Sequence, residues 1–169
     1  MDGESLRALQ APLKQLYREQ PDSAIVTLSA EGEIDDAAIA CKVQTGRALV
    51  TAGLHPATGG SGLEACSGDM LLEALVACAG VTLKAVATAI GVEIQSAHVR
   101  AEGDLDFRGT LGVERQAPVG FREIRLSFEL ASDASEEQLD QLLKLTERYC
   151  VVLQTLRAAP PASASLTLV

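Results

Sequence analysis

Four cysteines, at positions 41, 66, 78 and 150, are the residues of this chain best suited to chemistry. Cys78 lies in LLEALVACAGVTLKAV, residues 71–86, an aliphatic run in which Ala77, Ala79 and Gly80 crowd round one thiol. Such a cysteine is either a small buried hydrophobe, free cysteine being among the most buried residue types, or, as its thiolate, a nucleophile and redox centre. With no CxxC pair and only His55 and His98 as imidazoles, the chain argues against a zinc site.

Helix geometry restricts which thiols can meet. If Cys66 starts the helix that carries Cys78, the two are about 18 Å apart along its axis, and a disulfide needs Cα atoms within about 7 Å. The partner of Cys78 is then Cys150, Cys41 or a thiol of another subunit. Cys150 follows Thr146-Glu-Arg-Tyr and opens the apolar run VVLQTL. At a helix start beside Arg148, its thiolate would be favoured by dipole and charge. Cys41 is expected to pack in a strand core, and Cys66 to sit in a loop or at a helix start.

The elements that must position these groups follow from periodicity. Residues 4–19 read as an N-terminal helix, with Leu6, Leu9, Leu13 and Leu16 at helical spacing and Pro12 as an interruption. Ser23–Asp35, Ala38–Thr45 and Arg47–Thr51 read as strands, the last two joined by a turn at Thr45-Gly46. Gly53–Cys66 reads as a loop rich in Gly and Pro. It lacks GK[ST], and Glu64 and Asp69 would repel a phosphate, which argues against nucleotide binding. His55 in this loop reads as a surface or capping residue.

Ser67–Ile90 reads as the main helix. Ser67 is the expected N-cap, Asp69 complements the dipole and Gly91 is the stop. Asp69, Glu73 and Lys84 make a narrow polar stripe, so the helix is expected to be largely enclosed, with Cys78 facing away from the stripe. Val92–Arg108 and Glu123–Leu130 alternate as strands, placing His98 on a solvated face. A second helix follows the cap Asp133-Ala-Ser135, with Leu139, Leu142, Leu143 and Leu145 inward, and runs toward Cys150 and on to Arg157. Ser163–Val169 reads as a last strand. The fold class is α+β with mostly antiparallel sheets.

The chain has 169 residues, 47% hydrophobic and 3% aromatic, with no tryptophan. One domain spanning 1–169 is expected, the helix at 4–19 being an extension. A net charge of −9 argues against nucleic acid and against an anionic membrane surface. Met70–Ile90 is long enough to span a bilayer, but Glu73 and Lys84 inside it would each cost about 2.5–3.5 kcal/mol, so a buried helix is expected. MDGESLRALQ has no basic region followed by an apolar run, so a cytoplasmic location and thiols reduced at rest are expected.

These features together resemble the OsmC/Ohr family, the osmotically inducible protein C and organic hydroperoxide resistance proteins. The likeness rests on Leu75-Val-Ala-Cys78-Ala-Gly80, on the helix start Ser67-Gly-Asp-Met-Leu-Leu-Glu-Ala-Leu75, on Cys150-Val-Val-Leu153 near the end of the second helix, and on Pro118-Val-Gly-Phe121 before a strand. It covers roughly residues 20–169. Val151 stands where the family has a proline. The resemblance implies an OsmC-like fold, an intertwined homodimer whose sheets enclose the central helices, and active sites at the subunit interface. It implies that Cys78 attacks a hydroperoxide, that Cys150 resolves the sulfenic acid as a disulfide, and that an external dithiol reduces the pair without a bound cofactor. It also implies an activating arginine and an acidic residue near the cysteine. Arg18, Arg47 and Arg148 are candidates for the first and Asp69 for the second. The alternative is a dimer of the same fold that binds small molecules or accompanies stress without efficient turnover.

Overall fold

The computed structural model describes residues 2–5, 8, 11, 15, 19, 31–34, 40–45, 48–112 and 115–168, with backbone only for the strand residues up to 48. Within the N-terminal stretch, every described residue from 3 to 19 is helical. Arg18, Arg47, the Thr45-Gly46 turn and the start of the strand expected from Ser23 lie outside the described residues, as does the side chain of Cys41.

A four-stranded sheet takes the order β1 (Glu31–Ile34), β2 (Ala40–Thr45), β3 (Ala48–Gly53), β4 (Ala65–Cys66). The first three strands are antiparallel and β4 joins β3 in parallel. The loop between β3 and β4 contains a 3-10 turn over Pro56–Thr58. His55 caps that turn, its Nδ1 accepting from the Ala57 N–H at 3.0 Å, and stacks on Phe107 at 4.9 Å. Phe107 is therefore not a strand residue. It opens a one-turn helix, α2 (Phe107–Thr110), which ends the alternating run earlier than expected.

The central element is α1 (Ser67–Ile90). Its N-cap is Cys66 rather than Ser67, which is already helical. Gly91 ends it at φ 75°, a left-handed conformation that a Cβ would disfavour. Leu75, Ala79, Leu83 and Ala87, four apart, form its buried stripe. The helix packs on β5 (Ser96–Leu105), α3 (Glu136–Tyr149) and α4 (Val151–Arg157). It is not largely enclosed: Val81 is 73% exposed and Leu71 is exposed too. A two-stranded sheet and a pair of helices cover only one side of a helical cylinder, so one chain leaves the other side bare.

β5 pairs with β6 (Phe121–Ala131) in an antiparallel ribbon. Val99, Ala101 and Gly103 lie opposite Phe128, Leu126 and Ile124, making the face that meets α1. A Cβ on Gly103 would come within 2.5 Å of the Phe121 ring, so glycine makes room for that ring. The other face is charged and exposed, with His98 on it and Arg125 bonded to Asp104 and Glu123.

α3 begins with a capping box between Ser135 and Gln138. Leu142 is buried and Leu139 half-buried, but Leu143 is exposed, contrary to its expected inward place. Residues 159–168 form neither helix nor strand, so no strand forms within the described part of Ser163–Val169. Its described part is exposed throughout and has no neighbouring strand among the described residues to complete its backbone hydrogen bonds.

A candidate thiol site at a helix break

Helix α3 stops at Tyr149 and α4 starts at Val151. Between them Cys150 adopts extended backbone angles, φ −72° and ψ 104°, and serves as the cap of both helices. No proline forces the break. In an uninterrupted helix the Val151 N–H would bond the Glu147 carbonyl and the Val152 N–H the Arg148 carbonyl. Here the Glu147 carbonyl accepts instead from Gln154 Nε2 at 2.7 Å, and Arg157 reaches back to the Glu147 carboxylate at 3.0 Å. Two backbone N–H groups at the start of α4 are thereby released from helical pairing.

Both released groups favour the Cys78 thiolate, and that of Val152 acts on Cys150 as well. Cys78 is half-buried and packs, with Val99, Ala101 and Val152, against the apolar cluster formed by Leu75, Ala79, Cys150 and Leu153. Burial pushes the Cys78 pKa up. The neighbouring Val152 N–H, Cys150 thiol, Val151 N–H and Thr82 hydroxyl more than offset that and hold it below the ordinary thiol value. Thr82 also donates to the Cys78 carbonyl at 2.7 Å. A hydroxyl has one hydrogen, so it serves the carbonyl or the sulfur at any moment, and an ionised sulfur is the stronger acceptor.

Cys150 is 0% exposed and behaves oppositely. Burial raises its pKa, the Leu153 N–H partly opposes this, and hydrogen bonding to Cys78 together with the Cys78 charge raises it further. Cys150 itself lies at a helix start beside Arg148, yet its thiolate is not favoured, because burial and the neighbouring Cys78 outweigh the Leu153 and Val152 N–H groups. The Arg148 guanidinium lies over the Tyr149 ring at 5.5 Å, and the groups that lower Cys78 carry no formal positive charge.

Asp69 is exposed in the first turn of α1, nine residues or about 13 Å along the axis from Cys78. It lines a shallow groove with Glu73, Val76 and Ala101. Cys66 is half-buried at the start of α1 and is separated from Cys78 by eleven residues of unbroken helix. The three cysteines with described side chains, Cys66, Cys78 and Cys150, are free thiols. Among the described residues, no three His, Cys, Asp or Glu side chains gather to hold a metal ion.

Sequence reasoning singled out both thiols but missed what surrounds them. The Thr82 hydroxyl was discoverable from its place one helical turn after Cys78. The roles of Val151, Val152 and Gln154 were not, because they depend on where a helix breaks. Thr146, one turn before Cys150, was also missed: it is 1% exposed and its hydroxyl has no hydrogen-bond partner among the described residues.

A larger cavity, of about 910 Å³, opens between β6 and the α3–α4 pair. Ile124, Leu126, Phe128, Leu153 and Leu156 line it and also belong to the apolar cluster that holds the two thiols. Glu147 and Arg157 stand among its polar lining residues.

The family model for OsmC-like protein matches residues 60–165. Among solved structures, the chain is similar to an OsmC-like protein from Mycoplasma pneumoniae, with a TM-score of 0.65, 19% identity and coverage of 79% of this chain and 89% of that one. An organic hydroperoxide resistance protein from Legionella pneumophila gives a TM-score of 0.62 at 14% identity, covering 80% and 92%. One from Elizabethkingia anophelis gives 0.62 at 16% identity, covering 80% and 91%. No match is found among curated protein sequences.

Proposed function

The chain belongs to the OsmC-like protein family, and from that premise we propose that it is a thiol-dependent peroxidase that reduces organic hydroperoxides through Cys78 and Cys150. The observation that carries this reading is the pairing of unequal thiols. Cys78 is held below the ordinary thiol pKa by two backbone N–H groups and the Cys150 thiol, while Cys150 stays protonated beside it. The thiolate is the nucleophile, and a neighbouring protonated thiol is suited to the second step.

In the first step the Cys78 thiolate attacks the distal oxygen of ROOH. The O–O bond breaks, an S–O bond forms, and RO⁻ leaves and takes a proton to become ROH. Cys78 is now a sulfenic acid, oxidised by two electrons. In the second step the Cys150 sulfur attacks the Cys78 sulfur, the S–O bond breaks, and hydroxide leaves with the Cys150 proton as water. A cytoplasmic dithiol returns the disulfide to two thiols and is itself oxidised to a disulfide. No bound cofactor takes part. The apolar cavity that shares Leu153 and Leu156 with the thiol cluster favours a hydrocarbon R group over hydrogen peroxide.

The working form is a homodimer. The bare side of α1, with Val81 and Leu71 exposed, supports a second copy covering it. The test of the chemistry is peroxide consumption with a dithiol donor, comparing wild type with Cys78→Ser. Loss of turnover in the variant is expected. Equal rates would refute the proposal in favour of a dimer that binds small molecules without turnover.

A further inference from the structure

Three residues outside the thiol pair form a clasp with no evident task on the surface. Gln154 Nε2 donates to the Glu147 carbonyl at 2.7 Å, and Arg157 donates to the Glu147 carboxylate at 3.0 Å and 3.4 Å. Gln154 and Arg157 are exposed on α4, and Glu147 sits on the last turn of α3, so the clasp spans the break at Cys150. The Glu147 carbonyl is the acceptor that the Val151 N–H would take if the two helices were one. The Gln154 amide thus occupies the place that would otherwise draw Val151 back into a continuous helix.

We infer that Gln154, with Arg157 behind it, is a positioning residue for Cys78: by holding the Glu147 carbonyl it keeps the α3–α4 helix open at Cys150 and so keeps the Val151 and Val152 N–H groups on the Cys78 sulfur. The physical reasons are local. A carbonyl at a helix C-terminus must find a donor, and the side-chain amide of Gln supplies one without restoring the helical bond. A proline at 151 would also keep the break, because it has no N–H to return to Glu147, but this chain has valine there. The clasp holds the break and leaves the Val151 N–H free to donate. Valine at 151 and the glutamine three residues later are parts of one arrangement.

The inference rests on Cys78 being the reactive thiol, and its test uses no peroxide. The rate of Cys78 alkylation by iodoacetamide is followed against pH on the reduced, folded protein, for wild type, Gln154→Met, Val151→Pro and the double variant. Met keeps the length and helix propensity of Gln but cannot donate. In Gln154→Met the alkylation profile moves to higher pH and the rate at neutral pH falls several-fold. In the Val151→Pro background, where proline holds the break by itself, the same Gln154→Met change has no further effect. A structural role alone would alter stability in both backgrounds and leave the profile in place. An unchanged profile in Gln154→Met, or an equal shift in both backgrounds, overturns the inference. If wild-type Cys78 alkylates no faster than an ordinary thiol, the peroxidase reading fails as well. If wild type is fast and Gln154→Met matches it, only the role of the clasp fails.

Discussion

The thiols of Cys78 and Cys150 meet in one apolar cluster and move each other's pKa in opposite directions. The Cys150 thiol eases ionisation of Cys78, and a charged Cys78 then resists ionisation of Cys150. The pair behaves as one titrating unit whose first proton leaves from the sulfur that the backbone N–H groups face.

The order of ionisation sets a pH dependence. The folded pKa of Cys78 lies below the unfolded thiol value of about 9.0, so its contribution to stability is full above that value and is lost as pH falls through the folded one. Cys150 has the opposite sign: its contribution is full below about 9.0 and is lost as pH rises through its raised folded value. Denaturant unfolding under reducing conditions should therefore show the gap between wild type and Cys78→Ala widening as pH rises toward 9.0. A gap that stays constant with pH would contradict the assignment. Mass spectrometry after brief alkylation should find Cys78 labelled and Cys150 unlabelled until the protein unfolds.

Val151→Pro probes the donors one at a time. Val151 is the first residue of α4 and is 71% exposed, and Cys150 before it is extended, so proline fits without strain. The change removes only the Val151 N–H. The Cys78 pKa should rise, with the Val152 N–H and the Cys150 thiol still holding part of the effect, and the fold should be retained. Thiolate absorbance at 240 nm against pH reads this directly; a midpoint at or below that of wild type would show that Val151 does not serve the sulfur.

Thr146→Val addresses the buried hydroxyl. At 1% exposure and without a partner among the described residues, the Thr146 Oγ1 carries a desolvation cost, of about 1–3 kcal/mol for such a group. Valine has nearly the same shape and no polar atom. The variant should be as stable as wild type or up to about 1–3 kcal/mol more stable in urea unfolding. A loss of more than about 1 kcal/mol would mean that the hydroxyl has a partner in the assembled protein.

Val81→Lys tests the bare side of α1. In a lone chain a lysine at this 73% exposed position should change stability by no more than about 0.5 kcal/mol. In a dimer that covers this face it should be buried and costly. Sedimentation of wild type as a dimer, with Val81→Lys shifted toward monomer and still folded by circular dichroism, is the expected result. A wild-type monomer at micromolar concentration would remove the homodimer from the proposal.

The local patterns of this chain are strong, and they were sufficient for much of the fold. The alternation in Glu123–Leu130, the i, i+4 stripe of Leu75, Ala79, Leu83 and Ala87, the stop at Gly91 and the cap at Ser135 are each decided by neighbours within one or two turns. Cys78 was legible as a candidate for the same reason, since a thiol among small residues on a long helix is a local signature. Arg148 and Asp69 are candidates through the family resemblance alone. The fold turns Arg148 onto Tyr149 and leaves Asp69 about 13 Å from the thiol along α1.

What the sequence by itself determined, then, is the set of elements and the thiols they carry, because hydrophobic period and capping are short-range. Tertiary structure alone decided which sulfur the released N–H groups favour. That depends on a helix breaking at Cys150 without a proline, on Gln154 taking the Glu147 carbonyl, and on α1 bringing Cys78 against the opening from seventy residues away. None of these is a property of a sequence window. They are consequences of packing one helix against the ends of two others.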